Sequence, residues 1–150
     1  MRAERGEYAV TDEAGAIDAG VVYDFLSGLY WARGIPRDVF ERSLRGSLCL
    51  ALLHGRELAG FCRAVTDRAT FAYLADVFVL PRHRGRGLAK WMVGEMLAHP
   101  DVQGLRRWLL ATRDAHGLYA GLGFAPPAAP GAFMEILRPY AAPEPEGGEG

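Results

Sequence analysis

The spacing of apolar residues along the chain changes repeatedly between that of a helix and that of a strand. Apolar side chains at i, i+3, i+4 and i+7 predict three helices, one from residue 22 to about residues 31–34, one within 87–99 and one over 115–122. A further helix is predicted over 36–44, because Val39, Phe40 and Leu44 share one side and Pro36 suits its first turn. Short runs rich in aromatic and β-branched residues predict strands. They are "EYAVT", a hairpin in "SLCLALLHGRELAGFCRAVTD", "TFAYLADVFVL", "RRWLLAT" and "AFMEIL". The order β-α-α-β-β-β-α-β-α-β favours an α/β or α+β sheet with both parallel and antiparallel pairs.

Length and composition indicate one globular domain. The 150 residues fit a single domain, expected over residues 1–140. The last ten residues, "AAPEPEGGEG", lack apolar side chains to bury, so residues 141–150 are expected to form a disordered tail. The net charge of −1 provides no overall field for nucleic acid or membranes. No apolar run is long enough for a membrane span and no secretory signal is visible, so a cytoplasmic location is expected.

The two cysteines, Cys49 and Cys62, do not form a CxxC motif. Neither a metal site nor a disulfide framework is therefore expected. If Gly55 and Arg56 form a two-residue hairpin loop, Cys49 falls opposite Cys62 and the two thiols are neighbours. In a cytosolic protein such thiols are expected to be reduced.

The segment "RHRGRGLAK", residues 82–90, places four cations and two glycines at a junction from strand to helix. A helix N-terminus offers unpaired amide donors and a partial positive charge, and glycine lets a ligand approach the backbone closely. The segment therefore suits an anionic, phosphate-bearing ligand. The segment does not match the dinucleotide-binding fingerprint GxGxxG, because Lys90 occupies the position of the third glycine. On this segment alone, a solvated basic turn is an equal alternative.

Two motifs together resemble a known family. "VFVLPRHRGRGLAKWMV" resembles the acyl-CoA-binding motif of the GNAT superfamily of N-acetyltransferases, Gln/Arg-x-x-Gly-x-Gly/Ala, through Arg82, Gly85 and Gly87. "TRDAHGLYAGLGF" resembles the family's Ala-x-x-Leu-Tyr-x-x-x-Gly-Phe. The resemblance covers roughly residues 8–138. It implies a mixed, mostly antiparallel sheet of six to seven strands flanked by about four helices, with strands four and five splayed.

The resemblance also implies how acetyl-CoA would be held. The pyrophosphate would sit on the backbone amides of Arg84, Gly85, Arg86, Gly87, Leu88 and Ala89. The pantetheine arm would pair with the backbone of Val77, Phe78 and Val79, beside a bulge in strand four. The Val77 amide would polarise the thioester carbonyl. Thr112 replaces an asparagine common in the family, and its hydroxyl could bond the ligand or cap a helix.

For catalysis, the resemblance assigns Tyr119 as the general acid that protonates the departing CoA thiolate. A phenol is neutral at pH 7 and competent for that role; the alternative is a tyrosine that only packs in its helix. Asp76 is the first candidate for a base, against a carboxylate that bonds local amides and positions a loop. Tyr73 and His116 are further candidates for handling the amine's proton.

The resemblance implies that the loop after the first helix forms one wall of the site that binds the acceptor amine. Its residues Tyr30, Trp31 and Arg33 suit a small polar acceptor. The alternatives are that Trp31 closes the core or that the loop lies in a dimer interface.

The predicted activity is direct acetyl transfer to a primary amine of a small molecule. Neither a metal, a nucleic acid nor a membrane is expected, and a homodimer is left open. The rival functions are an acyl-CoA-binding regulatory module without turnover, a protein or peptide acetyltransferase and, less favoured by the charge, an RNA-binding domain.

Overall fold

The computed structural model describes residues 1–30 and 32–140. Six strands are found in this part of the chain: β1 Arg2–Arg5, β2 Tyr8–Thr11, β3 Ser47–His54, β4 Glu57–Thr66, β5 Phe71–Val79 and β6 Arg107–Leu109. The α-helices of the same residues are α1 Ala19–Leu26, α2 Arg37–Arg45, α3 Leu88–Leu97 and α4 His116–Ala120. In the described residues, no helix is both long and apolar enough to span a membrane.

The strands form one sheet in the order β1-β2-β3-β4-β5-β6. All neighbouring pairs are antiparallel except β5 and β6, which are parallel. This mostly antiparallel sheet with helices confirms the predicted fold class. The sequence pattern does not predict β1, because its Arg-Ala-Glu-Arg residues show no apolar alternation. With β1 counted, the fourth predicted strand is β5 and the fifth is β6.

Helices cover both faces of the sheet, and the central strand β3 is accordingly buried over nearly its whole length. On one face, Leu50 and Cys62 pack with Met92 and Met96 of α3. On the other, Ala51, Phe61 and Phe78 pack with residues of α1 and α2 such as Val22 and Phe40. The two cores fix the middle of the sheet and leave its β6 end as the place where a cleft can open.

The predicted pairing of Cys49 with Cys62 is wrong. The hairpin does turn at Gly55 and Arg56, but the register shifts between Leu52 and Leu53, so Cys49 stands opposite Arg63 and Cys62 opposite Leu50. An extra residue in one strand moves all later side chains to the other face. The two thiols therefore lie in different cores, and burial raises the pKa of both, that of Cys49 to about 11.

A second bulge interrupts β5. Phe61 pairs with Phe78 and Arg63 pairs with Ala75, so two β5 residues, Asp76 and Val77, stand opposite a single residue of β4. Asp76 has a positive φ of 57°, which is uncommon for a residue other than glycine. The bulge bends the strand at the point where the cleft begins.

Strands β5 and β6 pair over three residues only, Phe71–Tyr73 with Arg107–Leu109. Beyond Tyr73 the C-terminal part of β5 has no partner on this side among the described residues. The two strands thus separate after a short parallel contact and leave a cleft between them.

The predicted final strand "AFMEIL" is not found. Residues 133–137 belong to no strand, and Met134 is 97% exposed. The alternation of the sequence is suited to a strand, but a strand also needs a partner edge, and the chain does not pair this segment with its own sheet. The predicted tail, residues 141–150, lies outside the described residues.

Candidate active site

A cavity of about 870 Å³ occupies the cleft between β5 and the segment after β6. The β5 bulge, Asp76 and Val77, forms one wall, and residues 110–115 form the wall opposite. Tyr119 of α4 also lines the cavity, as does Tyr30 after α1. A volume of this size is ordinary for a small-molecule site. The splayed strands thus place the backbone of the bulge and a phenol around one space.

Tyr119 is a partly buried side chain of the short helix α4. Its ring packs edge-on against Phe124, with 5.9 Å between ring centroids. Just before α4, the Ala115 amide donates a hydrogen bond to Thr112 Oγ1 at 3.1 Å. Burial raises the pKa of Tyr119 to about 12. The phenol therefore stays protonated throughout the physiological range and can donate a proton.

Asp76 is engaged in an ion pair. Arg63 Nε of the neighbouring strand donates to Asp76 Oδ2 at 2.5 Å, and Arg63 Nη1 donates to Ser47 Oγ at 3.0 Å. The side chains of Arg63 and Asp76 are only 18% and 11% exposed. The pair ties the bulge of β5 to β4 and through Ser47 to β3, so three strands hold Asp76 in its strained backbone conformation.

The glycine-rich loop between β5 and α3 is open to solvent. Gly85 and Gly87 have φ angles of 80° and 74°, and a Cβ on either would meet no heavy atom within 4 Å. Gly87 is the N-cap of α3 and offers the first turn no capping side chain. Arg84 Nε donates to the Val79 carbonyl at 2.8 Å. The backbone amides of this loop are thus presented on an accessible, positively charged surface that fits a phosphate group.

The start of the same loop is anchored in the protein. The His83 ring is buried and its Nδ1 shares a hydrogen bond of 2.8 Å with the Tyr8 hydroxyl. Burial lowers the pKa of His83. The Leu80 amide donates to the Ala59 carbonyl at 2.7 Å, and Arg82 pairs with Glu57. These contacts fix the direction in which the loop leaves the sheet.

The predicted acceptor residues are only partly brought together. Tyr30 lines the cavity, where the Arg113 guanidinium lies 3.8 Å from its ring centroid. Arg33 is exposed and is not among the residues that line the cavity, so its role in binding the acceptor stays a prediction. Trp31 lies outside the described residues.

Among the other predicted residues, Val77, Tyr73 and Thr112 line the cavity, whereas His116 does not. Phe78 and Val79 bury their side chains in the core, and Arg84 to Ala89 form the loop described above. Sequence reasoning missed Arg63 and Arg113, because a single arginine in or after a strand has no distinguishing pattern. No group of three or more potential metal-ligating side chains is found among the residues described here.

Comparison with known proteins identifies the family. The family model described as "Acetyltransferase (GNAT) family" matches residues 22–124. A crystal structure of a GNAT-family protein from Xanthomonas campestris is 46% identical, with a TM-score of 0.85, and the match covers 89% of this chain and 94% of that one. A protein of Gibberella zeae that is named as an acetyltransferase is 31% identical over 77% of each chain. A Haemophilus influenzae protein named [Ribosomal protein bS18]-alanine N-acetyltransferase is 28% identical over 67% of this chain and 65% of its own length. The chain belongs to the GNAT family of acetyltransferases.

Proposed function

We propose that this acetyltransferase moves the acetyl group of acetyl-CoA to a primary amine of a small molecule by direct transfer. The observation that carries the proposal is that Val77 of the bulge and Tyr119, whose burial raises the pKa of its phenol to about 12, line one cavity. The GNAT family uses acetyl-CoA in general. The glycine-rich loop follows β5 directly, so the anion-binding and reacting ends of one extended donor fit along the same strand.

In this proposal the loop amides of residues 84–89 hold the pyrophosphate, since Gly85 and Gly87 leave open space for it. The backbone of Val77, Phe78 and Val79 pairs with the extended arm of the donor. Strand β6 has already separated from β5 at these residues, so their outward backbone groups are available. Thr112 helps to fix the chain just before α4, since its hydroxyl oxygen accepts a hydrogen bond from the Ala115 amide.

Acetyl-CoA supplies an acetyl group activated as a thioester. A bond forms between the amine nitrogen and the acetyl carbon while the bond from that carbon to sulfur breaks. The Val77 amide stabilises the negative charge that develops on the carbonyl oxygen. Tyr119 gives its proton to the departing sulfur and regains one from solvent, and the amine releases its proton to water in the open cavity. Holding both reactants in the cleft supplies the rest of the acceleration.

Asp76 serves in this scheme as a positioning residue. Its carboxylate oxygen Oδ2 accepts a hydrogen bond from Arg63 in a mostly buried ion pair, which is the geometry of a group that holds its neighbours in place. The ion pair holds the bulge that directs the Val77 amide. This choice follows the positioning alternative that the sequence left open.

The acceptor is proposed to be small and polar. Tyr30 and Arg113 stack at one side of the cavity, and the carboxylates of Asp114 and Glu135 also line it. The carboxylates attract an ammonium group and the aromatic face excludes water around it. A peptide amine is the second candidate, because the Haemophilus influenzae relative is named for an alanine of a ribosomal protein.

The test of this function is an amine panel with acetyl-CoA and a readout of released thiol, containing small amines and short peptides. We expect turnover with at least one small amine. Tyr119→Phe should leave the affinity for acetyl-CoA nearly unchanged and lower kcat by about 10²-fold or more, the usual contribution of a positioned acid. An unchanged kcat would remove the acid assignment, and binding without turnover on any amine would favour a regulatory module.

The pyrophosphate site has a separate test. Gly87→Glu adds bulk and negative charge at the proposed anion site and should abolish CoA binding in calorimetry. Because Gly87 has a positive φ, the substitution also strains the backbone. Gly104→Glu is the matched control, since Gly104 is exposed, has a φ of 75° and has equally open space. Equal loss of binding in both variants, or retained binding in Gly87→Glu, would show that the anion lies elsewhere.

A further inference from the structure

Two arginines line the cavity, and they differ in their partners. Of the described side chains around this space, Arg63 and Arg113 are the cationic ones. The charge of Arg63 is neutralised by its ion pair with Asp76. None of the ion pairs found in residues 1–30 and 32–140 includes Arg113. Arg113 therefore gives the cavity a positive charge with which no carboxylate of the described residues pairs.

Tyr30 holds the Arg113 guanidinium in place. The guanidinium carbon lies 3.8 Å from the centroid of the Tyr30 ring, so the planar group lies over the aromatic face. Such stacking restrains a side chain that otherwise has many rotamers, and a guanidinium tolerates it because the group is weakly hydrated. The N–H donors point outward in the guanidinium plane and remain available to a ligand. The contact joins the wall of residues 110–115 to the chain after α1.

A carboxylate is the ligand that this arrangement fits. The N–H donors of one guanidinium form a planar fork that matches the two oxygens of a carboxylate in a bidentate pair. Asp114 follows Arg113 in the chain and also lines the cavity. A doubly charged phosphate would be repelled by this neighbouring carboxylate, whereas a molecule with one carboxylate and one ammonium group meets an opposite charge at both residues. The pair of Arg113 and Asp114 thus complements a zwitterion.

We propose that the acceptor is an amino acid, and that Arg113 determines this specificity by binding the acceptor's carboxylate. The inference rests on the proposed function, because it names the class of amine that is acetylated. Arg113 belongs to the wall opposite the Val77 bulge, so an acceptor held there by its carboxylate extends its amine into the space before the thioester. The N-terminal residue of a peptide carries an amide where an amino acid carries its carboxylate, and it would leave Arg113 unpaired. The site therefore favours free amino acids over peptide amines.

The test compares amino acids with their own amides as acceptors. The panel contains the common α-amino acids, β-alanine and 4-aminobutyrate, each beside the amide of its carboxyl group, with released thiol as the readout. We expect kcat/KM for the best amino acid to exceed that for its amide by about 10-fold or more, the usual effect of hydrogen bonds to a charged group. The amine of the amide is less basic and more of it is neutral, so a more reactive amine does not explain this preference. An amide that equals or exceeds its acid in every pair, or a preference for 2-aminoethyl phosphate over β-alanine, would overturn the inference and leave acetyl transfer to amines standing.

Arg113→Gln removes the charge and the fork of donors but keeps most of the length of the side chain. KM for the best amino acid should rise about 10- to 100-fold with kcat nearly unchanged, because the carboxylate contact is made equally in the ground state and in the transition state. KM for acetyl-CoA and kcat/KM for the matched amide should stay at the parent values. Arg106→Gln is the matched control, since Arg106 is exposed and is not among the residues that line the cavity. An unchanged ratio of acid to amide in Arg113→Gln, or an equal loss in Arg106→Gln, would remove the assignment.

A binding measurement separates this inference from the proposed function. Protein saturated with CoA, which carries no acetyl group, is titrated in a calorimeter with each amino acid of the panel and with its amide. Binding of an amino acid in preference to its amide, weakened about 10-fold or more by Arg113→Gln, supports the carboxylate site even if no amine is acetylated, and then the proposed function alone fails. Acetylation of amines without any preference for a carboxylate overturns the inference alone. Protein that neither binds an amino acid nor acetylates any amine overturns both.

Discussion

Replacing Asp76 by asparagine, glycine and alanine separates a positioning role from a chemical one. Asp76 combines a backbone φ of 57° with a carboxylate bonded to Arg63. Asparagine tolerates this conformation and can still accept the hydrogen bond. Glycine keeps the conformation and loses the bond. Alanine loses the bond and is strained as well, so each variant removes a different part of the arrangement.

The structure sets the size of each effect on stability. Removing the carboxylate leaves Arg63 without its partner. Loss of one partner of a fully buried pair costs about 3–5 kcal/mol. Because Arg63 is 18% exposed, we expect about 2–3 kcal/mol for both alanine and glycine. Alanine adds a backbone strain of about 1–2 kcal/mol, because its φ would lie in the left-handed region. Glycine avoids this strain but loses more conformational entropy on folding than alanine, which offsets part of the difference between the two variants. Asp76→Gly should therefore be more stable than Asp76→Ala by about 1 kcal/mol, and Asp76→Asn the most stable of the three.

The assay combines urea unfolding with kcat and KM for the best amine of the panel. If Asp76 only positions the bulge, kcat of Asp76→Asn should stay within about tenfold of the parent value, which corresponds to an activation free energy higher by at most about 1.4 kcal/mol. The value of kcat should fall furthest in Asp76→Ala, which disturbs the bulge most. A proton acceptor contributes about 10²–10⁴-fold, and its loss would affect all three variants alike. Equal losses of 100-fold or more in folded Asp76→Asn, Asp76→Gly and Asp76→Ala would refute the positioning role.

Three further predictions concern stability and reactivity. In Gly60→Ala the new Cβ would lie 2.7 Å from the Phe78 carbonyl oxygen, so the free energy of unfolding measured in urea should fall by about 1–3 kcal/mol. In the control Gly94→Ala in α3, the new Cβ has room, so the free energy of unfolding should rise by up to about 1 kcal/mol. Hydrogen bonds to the Asp67 carboxylate, above all the one from the Thr70 amide, lower the pKa of Asp67. Asp67→Ala should therefore be less stable than the parent at pH 7, and this difference in stability should shrink as the pH falls below about 4. Cys49 and Cys62 are buried with raised pKa values, so neither thiol should react with DTNB until the protein unfolds, and rapid labelling of the folded chain would contradict their burial.

The sequence by itself determined the periodic features of this protein. The helical spacing of residues 22–29 and 89–96 and the aromatic-rich run of β5 depend on neighbours in the chain, so they can be read locally. The two glycines before α3 mark a backbone of positive φ that few other residues adopt. Each of these signals is contained within about ten consecutive residues, and the structure has the corresponding elements, although α1 ends at Leu26, before the end near residues 31–34 that the pattern predicts.

Only the tertiary structure determined the register of the strands and which side chains, distant in sequence, come into contact. A single extra residue in β4 moved Cys49 and Cys62 to opposite faces, and the bulge at Asp76 brought Arg63 to a carboxylate thirteen residues away. Arg113 met Tyr30 across the cleft, and residues 133–137 have a strand pattern but no strand. Bulges and pairings depend on contacts between residues distant in sequence, whose free energies are settled only when the whole sheet packs. Local patterns can therefore place an element, while only the assembled sheet decides what stands opposite it.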